Sequence, residues 1–426
     1  MRLIPTPFVK LMVAGLALGS GSRAAADSCV ACHAKVTPAI VEDWRLSKHR
    51  GKRVGCATCH GDRHRSAADA AKAKLPGPET CGTCHRERLA QFKKGKHALG
   101  WAVLKGMPAW HLQPATMTEG MKGCGGCHKI GVKSASEAKG KEDASTGRFE
   151  SGNASCDACH TRHVFSVKEA RQPQACQTCH REGEWQAYST SKHGARFLLQ
   201  QAGIMPAGSA APTCQTCHMR GGDHEVREAW GTSALRPNAE DQQWLADRVA
   251  ILQALGSLDP EGKPTGRIEA SKPLDMARPT PEAWLAEREK MVKACKACHS
   301  EGFARRDLAK GDQTIREADH LLAEAIRTVA SLYKDGVLEK PASYAYAFPD
   351  LVTLGDAPTP IERRLAEMFL AHRRFTIQGA FHGSPSVLDG GWAAMRIDLT
   401  EIKAMAEELR KDHRLAKNSR VPAGPG

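Results

Sequence analysis

The sequence Cys156-Asp-Ala-Cys-His160 is followed by Cys176-Gln-Thr-Cys-His180 and by Cys214-Gln-Thr-Cys-His218. Each unit places two cysteines three positions apart, with a histidine directly after the second cysteine. Two thiols at this spacing add to the two vinyl groups of one haem, and the adjoining imidazole then reaches the iron. The stretch from Cys156 to His224 is therefore predicted to bind haem at three successive sites.

The same unit recurs along the chain, giving eight copies that use all sixteen cysteines. No cysteine is left for a disulfide, and a histidine after every CxxC disfavours zinc sites and redox dithiols. The sequence predicts eight covalently bound haem c groups. The predicted attachment cysteines are Cys29, Cys32, Cys56, Cys59, Cys81, Cys84, Cys124, Cys127, Cys156, Cys159, Cys176, Cys179, Cys214, Cys217, Cys295 and Cys298. The predicted iron ligands within the motifs are His33, His60, His85, His128, His160, His180, His218 and His299.

Eleven further histidines lie outside the motifs, and a second axial ligand for each iron must come from among them. Their number allows eight six-coordinate irons, or seven with one iron open to a substrate. The predicted distal ligands are His49, His64, His97, His111, His163, His193 and His372, with the choice between His372 and His382 left open. The pair Asp223-His224 has two interpretations: an oriented axial ligand, or a proton-transfer pair beside an open iron.

The first 26 residues place Arg2 and Lys10 before a short apolar run and end in small residues. This pattern predicts a signal peptide cleaved after Ala26 and an exported, periplasmic chain, and no later stretch resembles a transmembrane helix. The net charge of +14 is expected to be offset largely by haem propionates. A nucleic-acid partner is disfavoured because the cations are dispersed and aromatic residues are scarce.

The expected fold is mainly α, with a loop-rich haem core at residues 27–300, a helical region at 301–418 and a flexible tail at 419–426. Residues 129–155, rich in Gly, Ser and Lys, are expected to form an exposed loop. Hydrophobic periodicity and capping signals predict the later helices. These comprise Asp241–Leu255, Pro281–Ala294, a stripe from Leu322 to Tyr333, a helix opened by the Thr359-Pro360 cap, and a last helix through Trp392 and Leu409.

Four segments resemble the octahaem hydroxylamine oxidoreductase family: CDACHTRHVFSVKEARQPQACQTCH, WQAYSTSKHG, CQTCHMRGGDHEV and HRRFTIQGAFH. The chain contains no CxxCK, which argues against nitrite and tetrathionate reductases with a lysine-ligated haem. The resemblance implies that Cys124, Cys127 and His128 hold a catalytic haem with an open distal side. It also implies that Asp223 and His224 face this haem, that the other haems conduct electrons, and that the exported protein forms a homotrimer.

The chain departs from oxidising members of that family at one position. Those members cross-link the catalytic haem to a neighbouring subunit's tyrosine, and the equivalent position here is Val387. Its absence favours reduction of nitrite or hydroxylamine to ammonium, with electrons from a periplasmic or membrane-bound redox partner. Two alternatives stay open: oxidation of hydroxylamine or hydrazine, and electron transfer without catalysis by a cytochrome whose irons are all six-coordinate.

Overall fold

The structure is a computed structural model that describes residues 20–102, 127, 130–133, 142–143, 148–149, 155–206, 208–226, 241–266, 281–342, 344–351 and 359–419. Helices dominate these ranges, and the strands within them form one short antiparallel pair, β1 (Glu142–Asp143) and β2 (Arg148–Phe149). The prediction of a mainly α fold is confirmed.

Several haem-attachment motifs lie on short helical turns, whereas the first lies within a 17-residue helix, Ser20–Val36. Cys56–His60 and Cys214–His218 each form one five-residue turn, and prolines open two others at Pro78 and Pro173, where a fixed φ suits the first helical position. The helices of this part are α1 (Ser20–Val36), α2 (Pro38–Leu46), α3 (Lys48–Gly51), α4 (Cys56–His60), α5 (Pro78–Gly82), α6 (Arg86–Lys94), α7 (Val167–Ala170), α8 (Pro173–Gln177), α9 (Glu184–Ser189), α10 (Lys192–Gln201) and α11 (Cys214–His218).

Longer helices follow at the positions that the sequence predicts, and the helix predicted to begin at Thr359-Pro360 is divided into two. They are α12 (Gln242–Ala254), α13 (Pro281–Cys295), α14 (Glu301–Lys334), α15 (Pro360–Glu367), α16 (Arg373–His382) and α17 (Pro385–Ser419). A π-helical segment, Met368–His372, joins α15 to α16 without a break in the chain direction. The last residue of α13 is Cys295, so this helix delivers the eighth attachment motif.

Helix α14 supplies the centre of the main hydrophobic core. Its predicted stripe of Leu322, Ile326, Val329 and Leu332 is fully buried, and α12, α16 and α17 pack against it. Burying each such aliphatic side chain contributes roughly 1.5–3 kcal/mol. The helix ends before Gly336, whose φ of +66° is the left-handed conformation that closes a helix C-terminus.

The predicted capping box at the start of α15 is also confirmed. The Thr359 hydroxyl accepts a hydrogen bond from the Glu362 backbone amide, and the Glu362 carboxylate accepts one from the Thr359 amide. Glu362 is completely buried, and its carboxylate also accepts a hydrogen bond from the Tyr333 hydroxyl of α14. The cap therefore fixes both the start of α15 and its position against α14.

Helices α12 and α13 carry the same five-residue pattern, Trp-Leu-Ala-acid-Arg, at residues 244–248 and 284–288. In each, the arginine lies over the tryptophan four positions earlier, at 5.3 Å for Arg248 and 4.8 Å for Arg288. Each arginine also pairs with an aspartate of α14: Arg248 with Asp319 at 3.1 Å and Arg288 with Asp312 at 2.6 Å. The pattern thus attaches two helices to α14 by the same contact.

Asp319 also binds a second buried arginine, Arg373, at 2.7 Å, and accepts a hydrogen bond from Trp244 Nε1 at 2.9 Å. Asp319, Arg248 and Arg373 all have side chains that are at most 3% exposed. One carboxylate therefore pairs with two guanidinium groups in the interior, and it joins α12, α14 and α16.

The described residues group into two compact units. One consists of residues 20–76 and 160–166, and the other contains the remaining described residues from 77 onward. The predicted division at residue 300 into haem core and helical region stays a prediction. No helix within the described ranges combines the length and the apolar character needed to cross a membrane.

Replacing Asp319 by asparagine is expected to destabilise the fold by about 3–5 kcal/mol, because two buried guanidinium groups lose their counter-charge. The measurement is the urea midpoint of the haem-loaded protein by far-UV circular dichroism. Asp335→Asn, at the exposed end of α14, is the matched control and should change the midpoint little. Equal midpoints for the two variants would contradict the assigned role of Asp319.

Candidate haem sites and the Asp223-His224 pair

Five motif histidines each lie beside one histidine from outside the motifs. Two imidazoles bound to opposite sides of one iron, each with a metal–nitrogen distance of about 2 Å, have ring centroids about 6 Å apart. The observed centroid distances are 6.0 Å for His33 and His64, 6.0 Å for His60 and His163, 6.2 Å for His180 and His97, 6.0 Å for His299 and His193, and 6.5 Å for His218 and His382. The donor set and its spacing fit haem with two axial imidazoles.

Hydrogen bonds at Nδ1 orient several of these rings. The Nδ1 atom of His33 lies 2.9 Å from Thr37 Oγ1, that of His60 lies 2.9 Å from Lys74 O, and that of His382 lies 3.0 Å from Gln378 O. An Nδ1–H that donates to oxygen leaves Nε2 as the nitrogen with a free lone pair. These rings are therefore held in the tautomer that a metal ligand needs.

Burial favours the neutral form of four of the histidines that lie opposite motif histidines. It lowers the pKa of His97 to about 4, and it lowers the pKa values of His163, His193 and His382 below that of free histidine. Because iron binds the neutral imidazole, a histidine that stays unprotonated at neutral pH is suited to ligation.

His382 takes the place that the sequence analysis gave to His372. Within the described ranges, no motif histidine lies beside His372: its Nδ1 lies 2.6 Å from Asp398 Oδ2, and its Nε2 lies 3.9 Å from Glu367 Oε1. Both ring nitrogens face carboxylates, which is an ion-pair environment. His382, at the end of α16, faces His218 instead.

The other predicted site residues are distributed as follows. His49 packs edge-on against Phe165 at 5.0 Å, and Phe165 in turn lies 5.8 Å from the ring of His163. The ligand role of His49 stays a prediction. Three predicted residues lie outside the described ranges: His111, Cys124 and His128.

Several attachment motifs lie next to one another in the unit that begins at residue 77. The thiols of Cys81 and Cys156 are within hydrogen-bonding distance, as are those of Cys176 and Cys214. These contacts place the third site beside the fifth and the sixth beside the seventh. Close packing of attachment sites is the arrangement that transfer of electrons between haems requires.

The fourth site adjoins the sixth, because Cys127 Sγ lies 3.9 Å from the carbonyl oxygen of Cys179. The sixth motif therefore has neighbours on two sides, the fourth motif and, through Cys176, the seventh.

The Asp223-His224 pair is held by helix α6, which follows the third attachment motif. Arg88 Nη1 donates to Gly222 O at 3.1 Å and to Gln91 Oε1 at 2.9 Å. The Gln91 oxygen also accepts from the His224 backbone amide at 3.1 Å. These bonds tie the loop before His224 to one face of α6. The sequence analysis did not identify Arg88 or Gln91, because nothing in the local pattern of α6 indicates a contact with a loop so distant in the chain.

The imidazole of His224 is also oriented locally. Its Nδ1 lies 2.8 Å from Gly222 O, so Nδ1–H donates and Nε2 carries the lone pair. Burial lowers the pKa of His224, and the nearby charges of Arg88 and His85 act in the same direction. The Asp223 carboxylate accepts a hydrogen bond from the Glu225 amide at 2.9 Å, which fixes the turn between them.

The loop Gly95–Ala98 connects this pair to the fourth site. On one side, the Lys96 amide donates to Val226 O at 2.9 Å; on the other, the Val132 amide donates to Ala98 O at 2.8 Å. Residues 224–226 and 130–132 therefore border the same loop, and residues 130–132 directly follow the fourth motif.

Glycines permit this close packing. A Cβ added at Gly95 would lie 2.8 Å from Val226 N, and one at Gly100 would lie 2.6 Å from Ile130 O. Gly131 has a φ of +149° and passes Ala98 O with no room for a side chain, since an added Cβ would lie 3.0 Å from that oxygen. The backbone of the Asp223-His224 segment and that of the fourth-site segment can approach the loop only because these side chains are absent.

Removing His382 is expected to convert one low-spin haem to high spin, because its iron loses an axial imidazole. Removing His372 should leave the number of low-spin haems unchanged. Electron paramagnetic resonance of the oxidised His382→Ala and His372→Ala proteins, with haem content measured in parallel, distinguishes the two. A high-spin signal from His372→Ala alone would contradict the assignment.

The protein-family model described as "Seven times multi-haem cytochrome CxxCH" matches residues 52–228 and 270–343 of this chain. A curated relative, the "Probable nitrite reductase-hydroxylamine oxidoreductase fusion protein" of Kuenenia stuttgartiensis, is 26% identical over 486 aligned residues. That alignment covers 90% of this chain and 52% of the relative, so the chain spans about half of the relative's length.

Two solved structures share the fold. The reducing HAO-like protein complex of Kuenenia stuttgartiensis gives a TM-score of 0.68 at 22% identity, covering 93% of this chain and 87% of the other. A hypothetical multiheme protein gives a TM-score of 0.62 at 20% identity, covering 95% of this chain and 100% of the other. Because the family model matches more than half of the chain, and its CxxCH motifs are those that attach haem covalently, this chain belongs to the multihaem c-type cytochromes.

Proposed function

We propose that this chain is an octahaem cytochrome that reduces nitrite or hydroxylamine to ammonium at its fourth attachment site. The observation that carries the proposal is the loop Gly95–Ala98, which is hydrogen-bonded to Val226 on one side and to Val132 on the other. The loop links the segment that bears Asp223 and His224 to the segment that follows the fourth motif. A proton-transfer pair beside one haem site is what reduction of a nitrogen oxyanion requires.

The bound haems would supply the electrons and an iron to which the substrate nitrogen binds. The protein supplies protons and a fixed geometry. His224 donates from Nδ1 to Gly222 O, so its Nε2 is the atom that exchanges protons with a substrate. Arg88 and Gln91 hold the loop in place from α6, which keeps that nitrogen in one position. A positioned proton donor of this kind accelerates a reaction by about 10²–10⁴-fold.

The direction of the reaction is inferred from the missing tyrosine. Val387 lies in the first turn of α17, where its amide donates to Ser384 Oγ at 3.4 Å. Two of the four tyrosines of the chain have other partners, since Tyr188 donates to Pro212 O at 2.8 Å and Tyr333 donates to Glu362. A haem without a tyrosine cross-link stays electron-rich, which supports reduction. The name of the curated relative includes both nitrite reductase and hydroxylamine oxidoreductase, so oxidation of hydroxylamine is the alternative direction.

Export to the periplasm, assembly as a homotrimer and an external redox partner are further parts of the proposal. They rest on the signal-like first 26 residues and on the family resemblance.

A second candidate function is electron transfer without catalysis. The observation that favours it is the influence of His85, the motif histidine of the third site, on the pKa of His224. In this function His224 would be the second axial ligand of the third haem. In that case His224 would bind an iron instead of exchanging protons with a substrate.

Electron paramagnetic resonance separates the two functions. The oxidised, haem-loaded protein is measured with and without hydroxylamine or nitrite. A high-spin ferric signal that changes on addition is expected for the enzyme, and low-spin signals that neither compound alters are expected for the electron carrier.

Replacing the pair tests its role directly. Asp223→Asn and His224→Ala are expected to lower the turnover number with hydroxylamine by about 10²-fold or more, because proton delivery is lost. Oxidation of the pre-reduced protein by ferricyanide should keep its rate, since the electron path is intact. His413→Ala, at the exposed end of α17, is the control. Unchanged turnover in both pair variants would exclude them from catalysis, and new high-spin iron in His224→Ala would identify His224 as a ligand.

The pH dependence of turnover provides an independent check. Because burial lowers the pKa of His224, this imidazole is protonated only in solutions more acidic than those that protonate free histidine. Its proton donation is complete at low pH and declines as the pH rises through the lowered pKa. We therefore expect kcat for hydroxylamine reduction to fall as the pH rises through the pKa of His224. The pH profile of His413→Ala should show the same fall, and that of His224→Ala should not. If kcat of His224→Ala still falls over this pH range, another group is responsible for the fall.

A further inference from the structure

We propose that Asp69 lowers the reduction potential of the haem attached through Cys29 and Cys32 by acting on one of its axial histidines. The inference concerns the unit of residues 20–76 and 160–166 and goes beyond the proposed catalytic function. It requires only the covalent haem that family membership implies.

His64 is the residue through which Asp69 acts. Its ring centroid lies 6.0 Å from that of His33, the motif histidine of the first site, and the two rings are inclined by 64°. This is the separation of two imidazoles on opposite sides of one iron. His33 and His64 would therefore be the two axial ligands of the first haem.

One ring nitrogen of His64 contacts a carboxylate, which leaves the other nitrogen to bind an iron. His64 Nδ1 lies 3.0 Å from Asp69 Oδ1, so Nδ1–H donates to this oxygen. A carboxylate acceptor draws the proton away from the ring and raises the basicity of the other nitrogen. The ring then acquires part of the character of an imidazolate, which is a stronger donor to ferric iron.

Asp69 is built to remain a carboxylate. The same oxygen, Oδ1, accepts from the backbone amides of Arg65 at 2.9 Å and Ser66 at 2.8 Å. Two amide donors on one oxygen stabilise the charged form of the carboxyl. The bonds also form the cap of the short 3₁₀ helix Ala67–Lys72, so the carboxylate is fixed by the local fold.

The other paired imidazoles whose Nδ1 contacts are described have neutral acceptors. His33 uses the hydroxyl of Thr37, and His60 and His382 use the backbone carbonyls of Lys74 and Gln378. A neutral acceptor orients the ring but adds no charge. At the first site, by contrast, the Nδ1–H of His64 donates directly to a carboxylate.

The consequence is a preference of that iron for its ferric state. Gaining one electron removes one positive charge from the iron, and the Asp69 carboxylate makes this change less favourable. The site gives up an electron readily, and its neighbour is the second site, since the thiols of Cys29 and Cys56 are close enough to interact electrostatically.

Asp69→Asn is a sharp test, because all of these bonds use Oδ1 and an asparagine oxygen can accept the same ones. The substitution removes the charge and keeps the geometry. We expect the equilibrium constant for reduction of one haem to rise by about tenfold, which corresponds to about 59 mV for one electron. The measurement is a redox titration followed by electron paramagnetic resonance, in which the signal that shifts is assigned through the variant His64→Met.

Asp62→Asn is the matched control, because it removes an equal charge from an exposed residue two positions from His64. It should change the equilibrium constant for reduction of the same haem by less than twofold. An unchanged potential in Asp69→Asn, or an equal shift in Asp62→Asn, would overturn the proposal.

A second measurement needs no variant and applies even if Asp69→Asn fails to mature. Near-infrared magnetic circular dichroism of the oxidised protein reports the charge on axial imidazoles through the ligand-to-metal band of low-spin haem. One band displaced toward the imidazolate position is expected among those of ordinary bis-imidazole haems. A single unsplit band at the neutral position would overturn the proposal. Neither readout depends on turnover, so loss of the catalytic proposal would leave this one intact.

Discussion

A pair of imidazoles must meet across each six-coordinate iron, and the architecture of the haem-binding part follows from this requirement. A CxxCH motif occupies about one helical turn, so it cannot supply the second imidazole itself. The ligand comes from a distant segment, as when His97 meets His180 or His382 meets His218. Five-residue helices such as α4 and α11 are too short to be stable alone, because helix nucleation is costly. Binding of two histidines to one iron holds such turns together. In a conventional domain, a continuous apolar core has this role.

The helices from α12 onward are organised around a hydrophobic core, and they connect this core to haem sites. Their apolar core around α14 is conventional, but the helices that enter it also carry haem ligands and attachment residues. Helix α13 bears Arg288, which binds Asp312, and ends at Cys295 of the eighth motif. Helix α16 bears Arg373, buried against Asp319, and ends at His382. These buried ion pairs fix the rotation of each helix about its own axis. The directions of the haem-site residues at the helix ends depend on that rotation.

The sequence was sufficient for features that are local. The CxxCH motifs, the mainly α fold, the stripe of α14 and the capping box at Thr359 all follow from spacing within a few residues. The pairing of ligands was not predictable, because a histidine carries no local sign of the iron it will reach. The contact of Arg88 with Gly222 has the same character. Predicted ligands such as His97 and His193 were found next to motif histidines, whereas His372 was directed to Asp398.

The misplacement of His372 has a geometric origin in the π-helical segment Met368–His372. A π-turn is equivalent to one extra residue in an α-helix, and it rotates everything beyond it by about 100° relative to an uninterrupted helix. The hydrophobic periodicity that begins at Ile361 therefore does not predict which helix face carries His382. The two histidines lie on helices in continuous succession, yet one faces a carboxylate and the other an imidazole. The number of residues at this point therefore sets the direction of His382, so the loss or gain of a single residue here would turn this histidine away from the seventh site without altering a motif.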